Sequence, residues 1–212
     1  MADIGKDLPT EELLARAAEG DSFAINQLLE RHRARLATII RPRIAKVLSR
    51  RVDASDIVQE VLICASRRLS EYLSAPSIPF HLWVRQLAMD RLADMHRRHN
   101  LAGRRSVSRE QFTKRNGHSS SIDLLAQLRD PEVTPAAAAI RREIEERFWV
   151  AVDQLEEEDR EVILMRHFEH LTNREVAETL GITPPAAGMR YLRALRRLRE
   201  RLESDKEGGL EP

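Results

Sequence analysis

Apolar residues recur along this chain at helical spacing in one segment after another, which is the pattern of helices that each bury one face. Thr10 is placed to cap a first helix through Leu13, Leu14 and Ala17 that ends near Gly20. Asp21 can cap a second, carrying Phe23, Leu28, Leu29 and Leu36 until Pro42 breaks or kinks it. Ser55 or Asp53 caps a third, with Ile57, Val58, Val61 and Leu62 on its apolar face, and residues 74–79, "SAPSIP", read as a loop. Phe80 opens a long helix to about His99, with Phe80, Val84, Leu87, Ala88 and Met95 on one side and Arg85, Met89, His96 and Arg97 turned outward. Helical periodicity then fades over 100–134, apart from one short candidate helix at Ile122 to Leu128, and resumes from Pro135 to about Leu155. A further helix follows in "EEEDREVILMRHF".

The last pair of helices is the most informative. Thr172 or Asn173 can cap the first of them, Glu175 sits where a capping carboxylate reaches back, and Val176, Ala177 and Leu180 carry the apolar spacing. Gly181 follows the last apolar residue, where a left-handed terminus costs glycine least. Thr183 caps again and Pro184 takes the first helical position. Two short helices across a glycine-led turn are the signature of a helix-turn-helix. At about 100° per residue, Tyr191, Leu192, Leu195, Leu198 and Leu202 fall on one side of the second helix and Arg190, Arg193 and Arg197 roughly opposite. The first face is expected to pack and the second to face outward.

The expected fold is therefore all-α, two small helical domains joined by a polar linker: an N-terminal domain over 1–99, the linker over 100–134, a C-terminal domain with the helix-turn-helix over 135–204, and a tail over 205–212. Composition agrees, since 42% of the 212 residues are hydrophobic and only 4% aromatic, which suits helical bundles better than an all-β protein. The formal charge of +1 predicts no polyanion partner by itself. The charge is segregated, however: basic residues cluster from Arg91 to Arg115 and after Gly188, and acidic ones from Glu156 to Glu161. An arginine-bearing outward face is often only a solvated surface. On the second helix of a helix-turn-helix, the same guanidinium groups can chelate guanine edges or neutralise phosphates in the major groove.

Other chemistry is sparse. Cys64 is the single cysteine, set in an apolar run, so no internal disulfide or cysteine-rich zinc cluster is expected. His96 with His99, and His167 with His170, have metal-compatible spacing but no acidic ligand set beside them, and they read as exposed polar residues. No catalytic residue, metal or cofactor is expected. No apolar run approaches the roughly 18 residues of a membrane span and no signal-peptide core stands at the N-terminus, so the expected compartment is the cytoplasm.

Three stretches in order carry a family resemblance over nearly the whole chain. "DASDIVQEVLICA" and "PFHLWVRQLAMDRLADMHRRH" in the N-terminal half, and "LEEEDREVILMRHFEHLTNREVAETLGITPPAAGMRYLRALRRL" in the C-terminal half, resemble bacterial sigma factors of the extracytoplasmic-function type, the promoter-recognition subunits of RNA polymerase. The resemblance implies core RNA polymerase and promoter DNA as partners, with no catalysis of its own. It places core-polymerase docking on Asp53, Asp56, Gln59 and Glu60. It places minus-ten recognition and strand opening at the 74–79 loop and the helix after it, through Ser77, Phe80, Trp83 and Arg85. Minus-35 recognition falls to Thr183, Arg190, Arg193 and Arg197. Whether an anti-sigma protein also binds is left open by the sequence. The chain departs from many family members at Asp90, a carboxylate that a phosphate backbone would repel, and at Gly188, which lacks a side chain and shifts the expected base contacts onto Arg190 and Arg193. The alternative reading is an autonomous helix-turn-helix regulator whose N-terminal bundle senses a signal or dimerises.

Overall fold

The computed structural model describes residues 8–44, 53–106 and 135–207, and the helix expected at Ile122 to Leu128 lies outside them. These residues fall into two compact units, each helical, with no strand among them. No helix among them is long and apolar enough to cross a membrane.

The first unit holds α1 (Thr10–Ala18), α2 (Ser22–Ile44), α3 (Ala54–Ser74) and α4 (Phe80–Ser106). Pro9, and not Thr10, is the N-cap of α1, so Thr10 is the first residue inside the helix. Asp21 does cap α2, as its Oδ1 accepts the N–H groups of Phe23 at 2.9 Å and Ala24 at 3.2 Å. Its Oδ2 accepts from Arg16, and that guanidinium, followed by the Ala24 and Phe23 N–H groups, holds the Asp21 carboxyl below its ordinary range. Of the expected break or kink at Pro42, the break does not occur. Proline costs a helix one N–H bond, yet α2 runs on to Ile44, with Ile39, Ile40 and Ile44 buried around Pro42. Leu13, Leu28, Leu36, Ile39, Ile57, Val61, Leu69, Phe80, Val84 and Ala88 belong to a single hydrophobic core, with α2 packed against all three other helices.

The second unit holds α5 (Pro135–Asp153), α6 (Glu157–Ile163), a π-helical turn over Leu164–Phe168, α7 (Asn173–Leu180) and α8 (Pro184–Glu207). Its buried side chains include Ala151, Val152, Val162, Ile163, Met165, Leu171, Val176, Ala187, Ala194 and Leu198. The sequence predicted one helix across "EEEDREVILMRHF"; the π-helical turn ends it with i to i+5 bonding, the N–H of Glu169 reaching the carbonyl of Leu164 at 3.0 Å. His170 follows with φ 54°.

Candidate functional site

Local chemistry fixes the helix-turn-helix in detail. Thr172 caps α7 through a reciprocal box: its hydroxyl accepts the N–H of Glu175 at 3.2 Å, and the Glu175 carboxylate accepts the N–H of Thr172 at 2.7 Å. Gly181 ends α7 at φ 64°, in the left-handed region. The Thr183 hydroxyl then accepts the Ala186 N–H at 3.4 Å at the start of α8. The π-helical turn ties this motif to what precedes it, because Arg166 donates to the Leu171 carbonyl and lies over the Tyr191 ring on α8 at 5.4 Å.

The orientation of α8 corrects the sequence reading. Ala187, Ala194 and Leu198 form its buried stripe, with Tyr191 and Leu202 half-buried beside it. Leu192 and Leu195, expected to pack, are exposed, and so is Met189. The large leucines drew the predicted packing face toward themselves, whereas the close approach of the neighbouring helices selects small alanines. Arg190, expected to face outward, is half-buried and meets Glu158 of α6 at 3.3 Å. Arg197 is ion-paired with the buried Asp159, whose hydrogen bond and charge raise the guanidinium pKa further. Arg193 is exposed, as is Thr183. Gly188 lies toward α7: a Cβ there would stand 3.2 Å from Asn173 Nδ2, so a side chain at this position would press on that amide.

In the first unit, Asp53 is the N-cap of α3, its Oδ1 accepting the Ser55 N–H at 3.0 Å, and this bond holds its carboxyl below the ordinary range. Asp56, Gln59 and Glu60 are exposed on α3. The Gln59 side-chain oxygen accepts from both terminal nitrogens of Arg33 at 3.2 Å, and Glu60 is ion-paired with Arg91 of α4. Helical spacing continues this stripe to Ile63, 42% exposed, which the sequence reading missed; its distance of seven from Asp56 and four from Gln59 was the available signal.

Ser77 is exposed in the loop before α4, and the Tyr72 hydroxyl pins that loop by donating to the Ile78 carbonyl at 3.0 Å. Phe80 is buried, and Trp83, partly buried, stacks on Tyr72 with ring centroids 4.8 Å apart. Arg85 was expected to point outward but is only 6% exposed. The reason is that α4 buries a second stripe beside the first, running through Leu82, Arg85 and Leu92, with Met89 also partly buried against the core. Asp90 is exposed. Among the described residues, no group of three or more His, Cys, Asp or Glu side chains could hold a metal ion.

The family model described as "Sigma-70, region 4" matches residues 145–198, which span the end of α5 through most of α8. The RNA polymerase sigma factor NccH of Alcaligenes xylosoxydans xylosoxydans is 27% identical over 92% of this chain and 96% of its own length. CnrH of Cupriavidus metallidurans, also an RNA polymerase sigma factor, is 25% identical over 92% of this chain and 95% of its own. The ECF RNA polymerase sigma factor SigD of Mycobacterium tuberculosis is 25% identical over 91% and 83%. A solved structure of CnrH in complex with the cytosolic domain of CnrY shares the fold, with a TM-score of 0.59 and 22% identity over 92% of this chain and 98% of that one.

Proposed function

The chain is a sigma factor of the extracytoplasmic-function type, and from that premise we propose that its two units divide promoter recognition, α1–α4 engaging core RNA polymerase and the minus-ten element and α5–α8 the minus-35 element. It contributes recognition and strand opening, and no bond-making chemistry. The observation that carries the reading is the doubly capped helix-turn-helix, with Thr172, Gly181 and Thr183 setting α8 against α7 and leaving one long face of α8 uncovered within the unit.

Residue assignments follow from exposure and partners. Core-polymerase docking is assigned to the α3 stripe of Asp56, Gln59, Glu60 and Ile63. Arg33 and Arg91 hold two of these polar groups in fixed positions, which lowers the entropy cost of binding through them, while Asp53 acts as the cap that starts the helix. Minus-ten recognition is assigned to the 74–79 loop through Ser77, with the uncovered part of Trp83 beside it and Phe80 supporting both from the core. Arg85, being buried, is assigned to holding α4 in place. Minus-35 recognition is assigned to α8, with Thr183 and Arg193 outward and Arg190 and Arg197 held by the carboxylates of α6. The complex formed by CnrH with the cytosolic domain of CnrY supports a comparable protein partner here, an anti-sigma protein.

Transcription in vitro tests the reading. Core RNA polymerase supplemented with the full chain is expected to form holoenzyme and to start transcripts at discrete promoters. A chain that binds duplex DNA alone, and neither joins core polymerase nor promotes initiation, would be an autonomous regulator instead.

A further inference from the structure

We propose that the C-terminal unit reads its duplex element through thymine methyl groups, with Met189 and Leu192 as the base-contacting side chains. The inference rests on the assignment of α8 to minus-35 recognition and names the chemistry that performs it.

The outward face of α8 is set by its buried one. With Ala187, Ala194 and Leu198 turned inward, the opposite strip at about 100° per residue contains Pro185, Met189, Leu192, Arg193 and Arg196, all exposed. Met189 is 58% and Leu192 56% exposed, three positions apart and therefore neighbours on the helix surface. Two of the guanidinium groups that would otherwise compete for base edges are turned aside: Arg190 toward Glu158, and Arg197 toward Asp159. Of the strip's large side chains, those nearest the helix N-terminus are the apolar Met189 and Leu192, and Arg193 and Arg196 follow.

An α-helix entering the major groove meets phosphate walls and a floor on which each base pair presents a distinct pattern; thymine alone presents a methyl group there. The outward strip of α8 has the matching layout. Its N-terminal half, the part of a recognition helix that meets base edges, carries Met189 and Leu192, and Arg193 and Arg196 follow within reach of the backbone. Met189 and Leu192 are separated by about 4.5 Å along the helix axis, comparable to the roughly 3.4 Å between successive bases of one strand, so they reach neighbouring base pairs. The unbranched methionine adapts to a methyl group without a fixed shape. Burying one methyl group accounts for about a fourfold preference, and two for about fifteenfold.

The experiment uses holoenzyme assembled from the full chain and core polymerase. Promoter DNA with a randomised minus-35 window is selected for binding, and the selected duplex is remade with uracil replacing thymine at each position in turn, which deletes only the methyl group. The expected result is a loss of about fourfold at each of one or two neighbouring positions. Met189→Ala or Leu192→Ala should weaken binding of the thymine duplex by a similar factor and bind the thymine and uracil duplexes equally. Both side chains are exposed, so neither replacement removes core packing. Equal binding of uracil and thymine at every position by the wild-type chain would overturn the inference, as would an undiminished thymine preference in both variants. If no minus-35 sequence is enriched at all, the minus-35 assignment itself fails and the inference with it. Enrichment without methyl dependence, for instance of guanines, overturns the inference alone.

Discussion

His32 makes the N-terminal unit sensitive to mild acid. The imidazole is 8% exposed, meets Phe80 edge-on with ring centroids 5.1 Å apart, and its Nε2 has no hydrogen-bond partner. Burial, reinforced by the charges of Arg35, His81 and Arg31, lowers its pKa from 6.5 to about 4. The native state therefore refuses a proton that the unfolded chain accepts. Above pH 6.5 both states are neutral at this position and nothing is lost. As the pH falls from 6.5 toward 4, stability drops by up to about 1.4 kcal/mol per pH unit. At pH 5 the loss is about 2 kcal/mol, and below about pH 4 it levels off near 3 kcal/mol. Urea unfolding of the full chain at pH 7.5 and pH 5 measures this, because Trp83 stacks on Tyr72 beside Phe80 and its fluorescence reports this core. For a urea dependence of about 2 kcal/mol per molar, the midpoint of this transition should move down by about 1 M more in the wild type than in His32→Leu. The leucine variant cancels the acid response of every other group common to both chains. Identical pH dependence in the two proteins would refute the reasoning.

Three further outcomes are expected. Gly181→Ala meets no atom within 4 Å, so its cost is the left-handed backbone alone, about 1–2 kcal/mol; calorimetry should show the C-terminal transition lowered by roughly 5–10 °C. Thr172→Ala removes the hydroxyl half of the capping box and should cost about 1 kcal/mol, seen as faster amide exchange in the first turn of α7. Asp56→Ala and Ile63→Ala should each weaken competition for core polymerase by about tenfold, while stability falls by no more than about 1 kcal/mol, the most that the first-turn charge of Asp56 contributes to α3.

Several helix starts and one stop were legible because caps and glycine positions are local chemistry: Asp21, Asp53, Thr172, Gly181 and Thr183 each occupy the place their side chain, or lack of one, suits, whereas α4, expected to end near His99, runs on to Ser106. Which way the helices face was less legible. The buried side of α8 is chosen by the neighbours it approaches, and alanines at 187 and 194 suit that approach better than leucines at 192 and 195. Hydrophobicity alone ranks them the other way. Arg85 illustrates the same limit, since α4 buries a second stripe that a single-face reading assigns to solvent. The ion pairs joining Glu158 to Arg190 and Asp159 to Arg197 bridge 32 and 38 positions, beyond any periodicity in the sequence. The glycine at 188 could be read only with its neighbour Asn173 in place.

The carboxylates opposite α8 also set how binding by this unit should respond to ionic strength. Six arginines lie between Arg190 and Arg201, and if each neutralised a phosphate, affinity would fall about 2,000-fold between 50 and 200 mM salt, at roughly 0.9 counterions released per contact. Arg190, Arg197 and Arg199 already face Glu158, Asp159 and Glu203. Arg201, seven residues after Ala194, lies on the packing side, so Arg193 and Arg196 supply the released counterions, and the fall over the same range shrinks to about 12-fold. Under the minus-35 assignment proposed above, α8, dense in positive charge, thus behaves toward salt like a helix with a third as many arginines.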